Sequence, residues 1–352
     1  MKTVIFSALI FFLSSSFAQN SQEEDFDTYM GKGTPHWEHV KEASDIAFLN
    51  SCKELYQQQK AIESQDHIRI PRTVHFIWLG PRAFPPKSVE NIRTWIGKNP
   101  GWKFVFWTDQ KRAAPCCGME VRYVKDFVFS HLGARYDQSE NWGERSDILR
   151  YEILFQEGGV YADHDANCLQ PFDSLHSSYD LFCCLETPHT PFAGQNITCG
   201  NGVIGSKPNH PTIAKVLDLI DKRWDGLATT FQGKDHNSKE ELVIQRTYIA
   251  LTDTLKDCLA AEGCRDIVLP SSYFFAKHGM NSLFSKHFYA NAWAENGDED
   301  LEFEKLLSRS YSKIKGANNQ FLVSFLVICA VSLISVVMLF VVASKVKQKY
   351  FS

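Results

Sequence analysis

Apolar and polar positions alternate in blocks along the middle of the chain, and the period changes from block to block. Ile70-Pro-Arg-Thr-Val-His-Phe-Ile-Trp-Leu-Gly80 is rich in β-branched and aromatic residues and stops at Gly-Pro, which predicts a first core strand. From Ser88 to Lys98 the apolar residues Val89, Ile92, Trp95 and Ile96 fall at helical spacing, and Asn99-Pro-Gly breaks the run. Trp102-Lys-Phe-Val-Phe-Trp107 predicts a second strand. Strand, helix and strand in succession favour a mostly parallel sheet covered by helices, an α/β architecture. Arg145 to Glu157 predicts a helix with Ile148, Tyr151 and Phe155 on one face and Asp147, Arg150 and Leu154 on another, stopped by Gly158-Gly159. Val160-Tyr161-Ala162 then reads as a short buried strand that delivers Asp163-His164-Asp165 to its carboxyl end, where α/β sheets bind ligands. Further on, residues 200–210 predict a strand with glycine-rich edges, residues 211–265 a mainly helical stretch, and Ile267-Val-Leu-Pro a late strand.

The two ends have a different pattern. Residues 1–18 run from Met-Lys through apolar Val4 to Leu13 into Ser-Ser-Ser-Phe-Ala, with small Ser16 and Ala18 placed for cleavage, and predict a signal peptide; an uncleaved anchor helix is the alternative. Phe321 to Ala343 carries no charge over 23 residues, about 34 Å as a helix, which predicts one transmembrane span. The lysines of the tail, 344–352, favour the cytoplasmic side. Residues 19–66 are polar and predict helices beside the main domain or a partly loose stalk, 67–296 form that domain, and 297–320 a juxtamembrane connector.

Composition narrows the function classes. Of 352 residues, 44% are hydrophobic and 22% charged, which excludes wholesale disorder and a coiled coil. A formal charge of -4 supplies no basic field for nucleic acid. Ten cysteines are too few for a disulfide scaffold at this length, although Cys258 and Cys264 flank a short turn and could bridge. The vicinal pairs Cys116–Cys117 and Cys183–Cys184 do not have zinc-site spacing. Asn196-Ile-Thr is a glycosylation sequon if the domain is luminal in a eukaryote.

Asp163-His164-Asp165 carries the sharpest chemical signal. Carboxylates at i and i+2 on a strand end project to one side, with His164 turned away. Two such acids repel unless a cation lies between them, and a hard divalent ion, Mg2+ or Mn2+, would relieve the repulsion while keeping positions open for phosphate oxygens. Asp147 and Arg150, at i and i+3 on the preceding helix, are either a plain surface ion pair or a carboxylate and guanidinium that hold sugar hydroxyls.

The run from Arg145 to Asp165 resembles the sugar-binding DXD region of glycosyltransferases of family 32 (yeast-type and sphingolipid mannosyltransferases) and of the clostridial glucosylating toxins. Residues 70–80 look like the opening strand of those enzymes and Asn201-Gly-Val-Ile-Gly-Ser-Lys-Pro-Asn-His-Pro211 like a later signature. The resemblance implies a GT-A-type nucleotide-sugar-binding domain with helical additions. It implies that Asp165 ligates the metal directly, that Asp163 holds the ribose and a metal-bound water, and that Asp147 and Arg150 grip the donor sugar. It further implies that Trp78 stacks on the nucleotide base, where core packing is the alternative, and that Asn201 approaches the sugar. Near the end of the domain, relatives carry a histidine and a Ser-Trp that close over the diphosphate. The nearest match is His287-Phe-Tyr-Ala-Asn-Ala-Trp293, in which the histidine is displaced, Asn291 stands in its place as a metal ligand, and Trp293 lies by the diphosphate. A Thr-Gly-Pro segment usual in relatives has no match near Thr247.

The expectation is therefore a membrane-tethered, metal-dependent hexosyltransferase. It would move a hexose from UDP- or GDP-sugar to a glycan, lipid or protein hydroxyl, with retention implied by the resemblance. The catalytic domain would face a Golgi-like lumen in a eukaryote or the cell envelope in a bacterium. A catalytically silent sugar- or nucleotide-binding surface protein on the same fold is the alternative, and a metallohydrolase a weaker one for want of clustered ligands.

Overall fold

The computed structural model describes residues 25–60, 69–191, 193–230 and 236–290. The expected signal peptide, connector and membrane span (321–343), the basic tail, Asn291 and Trp293 lie outside these residues. Among the described residues no helix is long and apolar enough to cross a membrane.

The chain enters through α1 (Phe26–Tyr29) and α2 (Ala43–Lys60). An alternating segment follows: β1 (Thr73–Trp78), α3 (Pro86–Lys98), β2 (Lys103–Thr108), β3 (Glu120–Tyr123), α4 (Gly133–Gln138), α5 (Trp142–Gln156) and β4 (Gly159–Ala162). Then come β5 (Ala166–Cys168), α6 (Asp173–Ser178), β6 (Leu181–Leu185) and β7 (Cys199–Ser206). The last part holds α7 (Pro211–Thr230), α8 (His236–Val243), one stretch of π-helix (Ile244–Tyr248), α9 (Ala250–Asp257), β8 (Asp266–Leu269) and β9 (Ser285–His287).

Seven strands form one sheet in the order β3-β2-β1-β4-β7-β6-β8. Its β3-β2-β1-β4 half is parallel, and β6 and β8 are parallel to each other. The sheet is mostly parallel, as expected, and the exception is β7, which runs antiparallel to both of its neighbours. Strands such as β1, β2 and β4 are buried almost throughout, as a sheet covered on both faces requires. A separate two-stranded ribbon pairs β5 with β9, setting Ala166 opposite His287.

Two buried groups fix the turn that leads into the acids. His75 Nδ1 accepts from Trp107 Nε1 (3.2 Å), which leaves Nε2 to donate to Gly158 O at 3.0 Å. Burial above all, helped by the Arg122 and Lys103 cations, holds this imidazole neutral, with its pKa lowered to about 3. Gly159 has φ +98, and a Cβ there would meet Thr73 O at 2.7 Å, so only glycine joins α5 to β4 at this point.

Helix α2 is packed rather than loose. Asp45 is buried and bonded to Lys256 Nζ (3.2 Å) and to the backbone of Asn196 (2.7 Å). Asn196 is itself buried and donates its side-chain amide to His189 O at 2.8 Å, so this fold does not present the sequon to solvent. Cys258 and Cys264 are free thiols.

Candidate active site

A cleft of about 1000 Å³ opens at the carboxyl ends of β1 and β4. Its wall includes Trp78, Asp147, Arg150, Asp163, Asp165 and Asn201, the candidate site residues that fall within the described part of the chain.

The acids occupy the turn between β4 and β5 rather than the strand itself. Asp163 N donates to Gly202 O (2.7 Å) in the last link to β7, and Ala166 N then closes the turn on Asp163 O at 3.1 Å. His164 points away, as the alternation requires, with its Nδ1 2.8 Å from Ser88 Oγ. The two acids converge on His287 of β9, whose Nε2 lies 3.1 Å from Asp163 Oδ2 and 3.3 Å from Asp165 Oδ1. Asn291, the expected third ligand, lies outside the described residues; antiparallel pairing of β9 with β5 carries His287 back beside the acid turn. Asp165 Oδ2 accepts from Ala290 N at 2.7 Å, which ties the segment after β9 to the same acid.

One potential ligand atom from each of Asp163, Asp165 and His287 lies within 4.8 Å of the others. Two carboxylates and an imidazole suit a divalent cation. The same two carboxylates favour the charged form of the imidazole. Burial opposes its charge, but Asp165 and Asp163 outweigh burial and push His287 up to about 9. Asp163 is held well below the ordinary carboxylate range, because Arg150 and His287 outweigh its burial.

Gly202 makes room for this cluster. A Cβ there would lie 2.6 Å from Asp163 Oδ2 and 3.1 Å from His287 Nε2. Gly202→Ala is expected to lower stability by about 1–3 kcal/mol through overpacking. It should also weaken binding of a divalent ion at the cluster, because the carboxylate must move. Urea titration and calorimetry of the same sample check both effects, and a variant with unchanged affinity would show that Asp163 is free to relocate.

Behind the acids lies a buried polar network. Arg150 is 5% exposed and Asp147 7%. Arg150 Nη2 is 2.7 Å from Asp147 Oδ1, its Nη1 donates to Asn201 O at 2.6 Å, and its guanidinium stacks at 4.2 Å on Tyr161. It also reaches Asp163 Oδ1 at 3.6 Å, which joins the network to the acid turn. Asn201 Nδ2 donates to Asp147 Oδ1 (3.2 Å), and Thr247 Oγ1 donates to Asp147 Oδ2 (2.7 Å). Tyr161 donates its hydroxyl to Asp163 Oδ1 at 2.5 Å. Asp147 and Arg150 are therefore not a surface pair. Thr247, Tyr161 and His287 are the members of the site left unassigned by the sequence reading. Thr247 sits in the π-helical stretch, a deviation that often marks functional positions.

Trp78 lines the cleft but is only 6% exposed. Its Nε1 donates to Arg82 O at 3.0 Å, and Phe84 and His164 pack edge-to-face against it. These contacts are what core packing asks of a strand tryptophan. A second group of potential ligands, His210, Cys264 and Asp266, lies apart from the cleft. There His210 Nδ1 accepts from Thr212 N and Nε2 donates to Asp266 Oδ1 at 2.9 Å, so both ring nitrogens are committed.

Residues 85–182 match the family model of the glycosyltransferase sugar-binding region containing a DXD motif. "Subversion of eukaryotic traffic protein A" of Legionella pneumophila is 30% identical over 172 residues, covering 44% of this chain and 26% of that protein. Mannosyl phosphorylinositol ceramide synthase of Saccharomyces cerevisiae is 29% identical over 161 residues, covering 44% of this chain and 36% of that protein. The match thus spans about a quarter to a third of these relatives' length. Among solved structures, the PaToxG glycosyltransferase aligns at a TM-score of 0.44 and 19% identity, over 61% of this chain and 77% of that one.

Proposed function

We propose that this chain is a GT-A-type glycosyltransferase that takes a hexose from a nucleoside diphosphate sugar and delivers it to an acceptor hydroxyl. The observation that carries the reading is the joining of two sets of groups in one cleft. The Asp163–Asp165–His287 cluster suits a cation and a diphosphate, and the buried Asp147–Arg150–Asn201–Thr247 network stands directly behind it. The match of residues 85–182 to a sugar-binding region supports the same reading.

Asp163, Asp165 and His287 would hold a divalent ion, which supplies positive charge against the diphosphate as it leaves. Arg150 fixes the Asp147 carboxylate and holds Asp163 ionised, so that both acids keep one position through the reaction. Asn201 and Thr247 occupy the inner lone pairs of Asp147 and turn the rest of that carboxylate toward the cleft, where a sugar hydroxyl can donate to it. In the transfer the bond from the anomeric carbon to the diphosphate oxygen breaks, a bond to the acceptor oxygen forms, and the acceptor hydroxyl passes its proton to the departing diphosphate oxygen. Retention, a luminal or envelope location, and a membrane tether through residues 321–343 complete the proposal.

The test is a screen of UDP- and GDP-hexoses for release of UDP or GDP by the detergent-solubilised chain, with and without Mn2+ or Mg2+. Cation-dependent release from one donor is expected. Binding of nucleotide without release from any donor would favour the catalytically silent alternative.

A further inference from the structure

Glu144 is the third residue of α5, one turn before Asp147, and it is 2% exposed. Its Oε2 accepts from Ser139 Oγ at 2.6 Å. Its Oε1 is buried and takes part in no hydrogen bond. Arg246 Nη1 pairs with that oxygen as an ion at 3.6 Å, too far for a direct hydrogen bond. Arg246 cannot easily close the gap. Its guanidinium stacks at 4.0 Å on Trp224, and both Nε and Nη2 donate to Trp224 O at 3.3 Å. Both Glu144 and Arg246 line the cleft.

The other acids of the cleft floor are placed differently. Both oxygens of Asp147 accept protein hydrogen bonds, and both oxygens of Asp163 have close polar partners. Asp165 is held by Ala290 N and His287. Glu144 alone among these four has a buried carboxylate oxygen with no hydrogen bond. Leaving such a group without a hydrogen bond is costly, and burial accordingly pushes this carboxyl above its ordinary range despite Ser139 and Arg246. A ligand that donates to Oε1 removes that cost. A fixed acceptor beside a fixed N–H donor matches two neighbouring hydroxyls of one ring, one donating to Glu144 and the other accepting from Arg246.

We propose that Glu144 and Arg246 form a second subsite of the cleft, which binds a vicinal diol of a cyclic polyol and thereby positions the acceptor. The proposal rests on the glycosyltransferase reading above and adds to it the chemical class of the acceptor and the residues that select it. The subsite is separate from the cation cluster and from the Asp147–Arg150 network, yet opens into the same cleft.

The test uses the detergent-solubilised full chain with UDP, and methyl α-mannopyranoside, methyl β-glucopyranoside and myo-inositol as probes. Saturation-transfer NMR reads polyol binding, and release of nucleotide from the donor reads transfer. At least one polyol is expected to bind and to raise the rate of donor consumption. Glu144→Gln should then weaken that polyol, and raise its KM, at least tenfold, while UDP affinity falls less than twofold. Arg246→Lys, which keeps the charge and loses the fork, is the second variant should the first fold poorly. A wild-type chain that binds none of the three polyols, or variants that bind them equally well, overturns the subsite. Polyol binding that both variants weaken, in a chain that consumes no nucleotide sugar, leaves a sugar-binding subsite but overturns both the acceptor role and the transferase reading.

Discussion

Asp165→Asn leaves the chain folded and lowers sugar transfer by at least about two orders of magnitude, or about 2.7 kcal/mol of transition-state stabilisation. Asp165 is buried in the turn after β4, with Oδ1 3.3 Å from His287 Nε2 and Oδ2 receiving the Ala290 N–H. An asparagine is the same size, so packing survives. It brings no negative charge, so the cluster loses one of the two carboxylates that suit it to a cation. Nucleotide affinity in Mn2+ should fall with activity, while affinity measured in EDTA should change little. Calorimetry in the two buffers checks this, and equal losses in both would mean that Asp165 touches the nucleotide itself.

Arg150→Ala should be the most destabilising single change in the site. A surface pair at i and i+3 contributes about 0–1 kcal/mol. Here both partners are buried, and removing the guanidinium leaves Asp147 charged, desolvated and without its cation, which costs about 3–5 kcal/mol. The same change frees Asn201 O and uncovers the face of Tyr161. Urea denaturation should show the loss directly. Arg150→Lys keeps the charge but not the bridge from Asp147 to Asn201 O, so it should recover part of the stability and little of the transfer. If Arg150→Ala unfolds at the wild-type urea midpoint, Asp147 takes up a proton when its partner is removed.

Much of this was legible from residue order alone. The opening strand, the helix before Gly158-Gly159, the short strand β4 and the acid turn all follow from local periodicity and turn chemistry, and the structure places them within a few residues of expectation. The antiparallel insertion of β7 was not legible, because a buried strand reads the same in either direction. The nearness of His287 to the acids was not legible for a related reason. Its distance from the acids depends on pairing between β5 and β9, and nothing in seven residues around it announces that pairing. Thr247 was passed over because it was sought as part of a tripeptide, whereas its role lies in one hydroxyl aimed at Asp147. A more general signal was available in Gly202, a glycine inside a buried strand, which often marks the close approach of another group.

The β5–β9 ribbon also bears on how the site comes into being. His287 and Asp163 are 124 positions apart, yet the bond between them closes over three-residue strands. Joining such distant points of a chain has an entropic cost that few local contacts offset, so this ribbon is expected to form late, after the seven-stranded sheet has fixed the acid turn. The three potential ligands then exist as a set only in the finished fold. A cation that binds them adds its free energy to the native state by mass action and to no earlier state. Divalent ions would in that case act as the last fastening of the chain as well as part of its chemistry, and their supply in the compartment of folding would govern how much of the protein stays assembled.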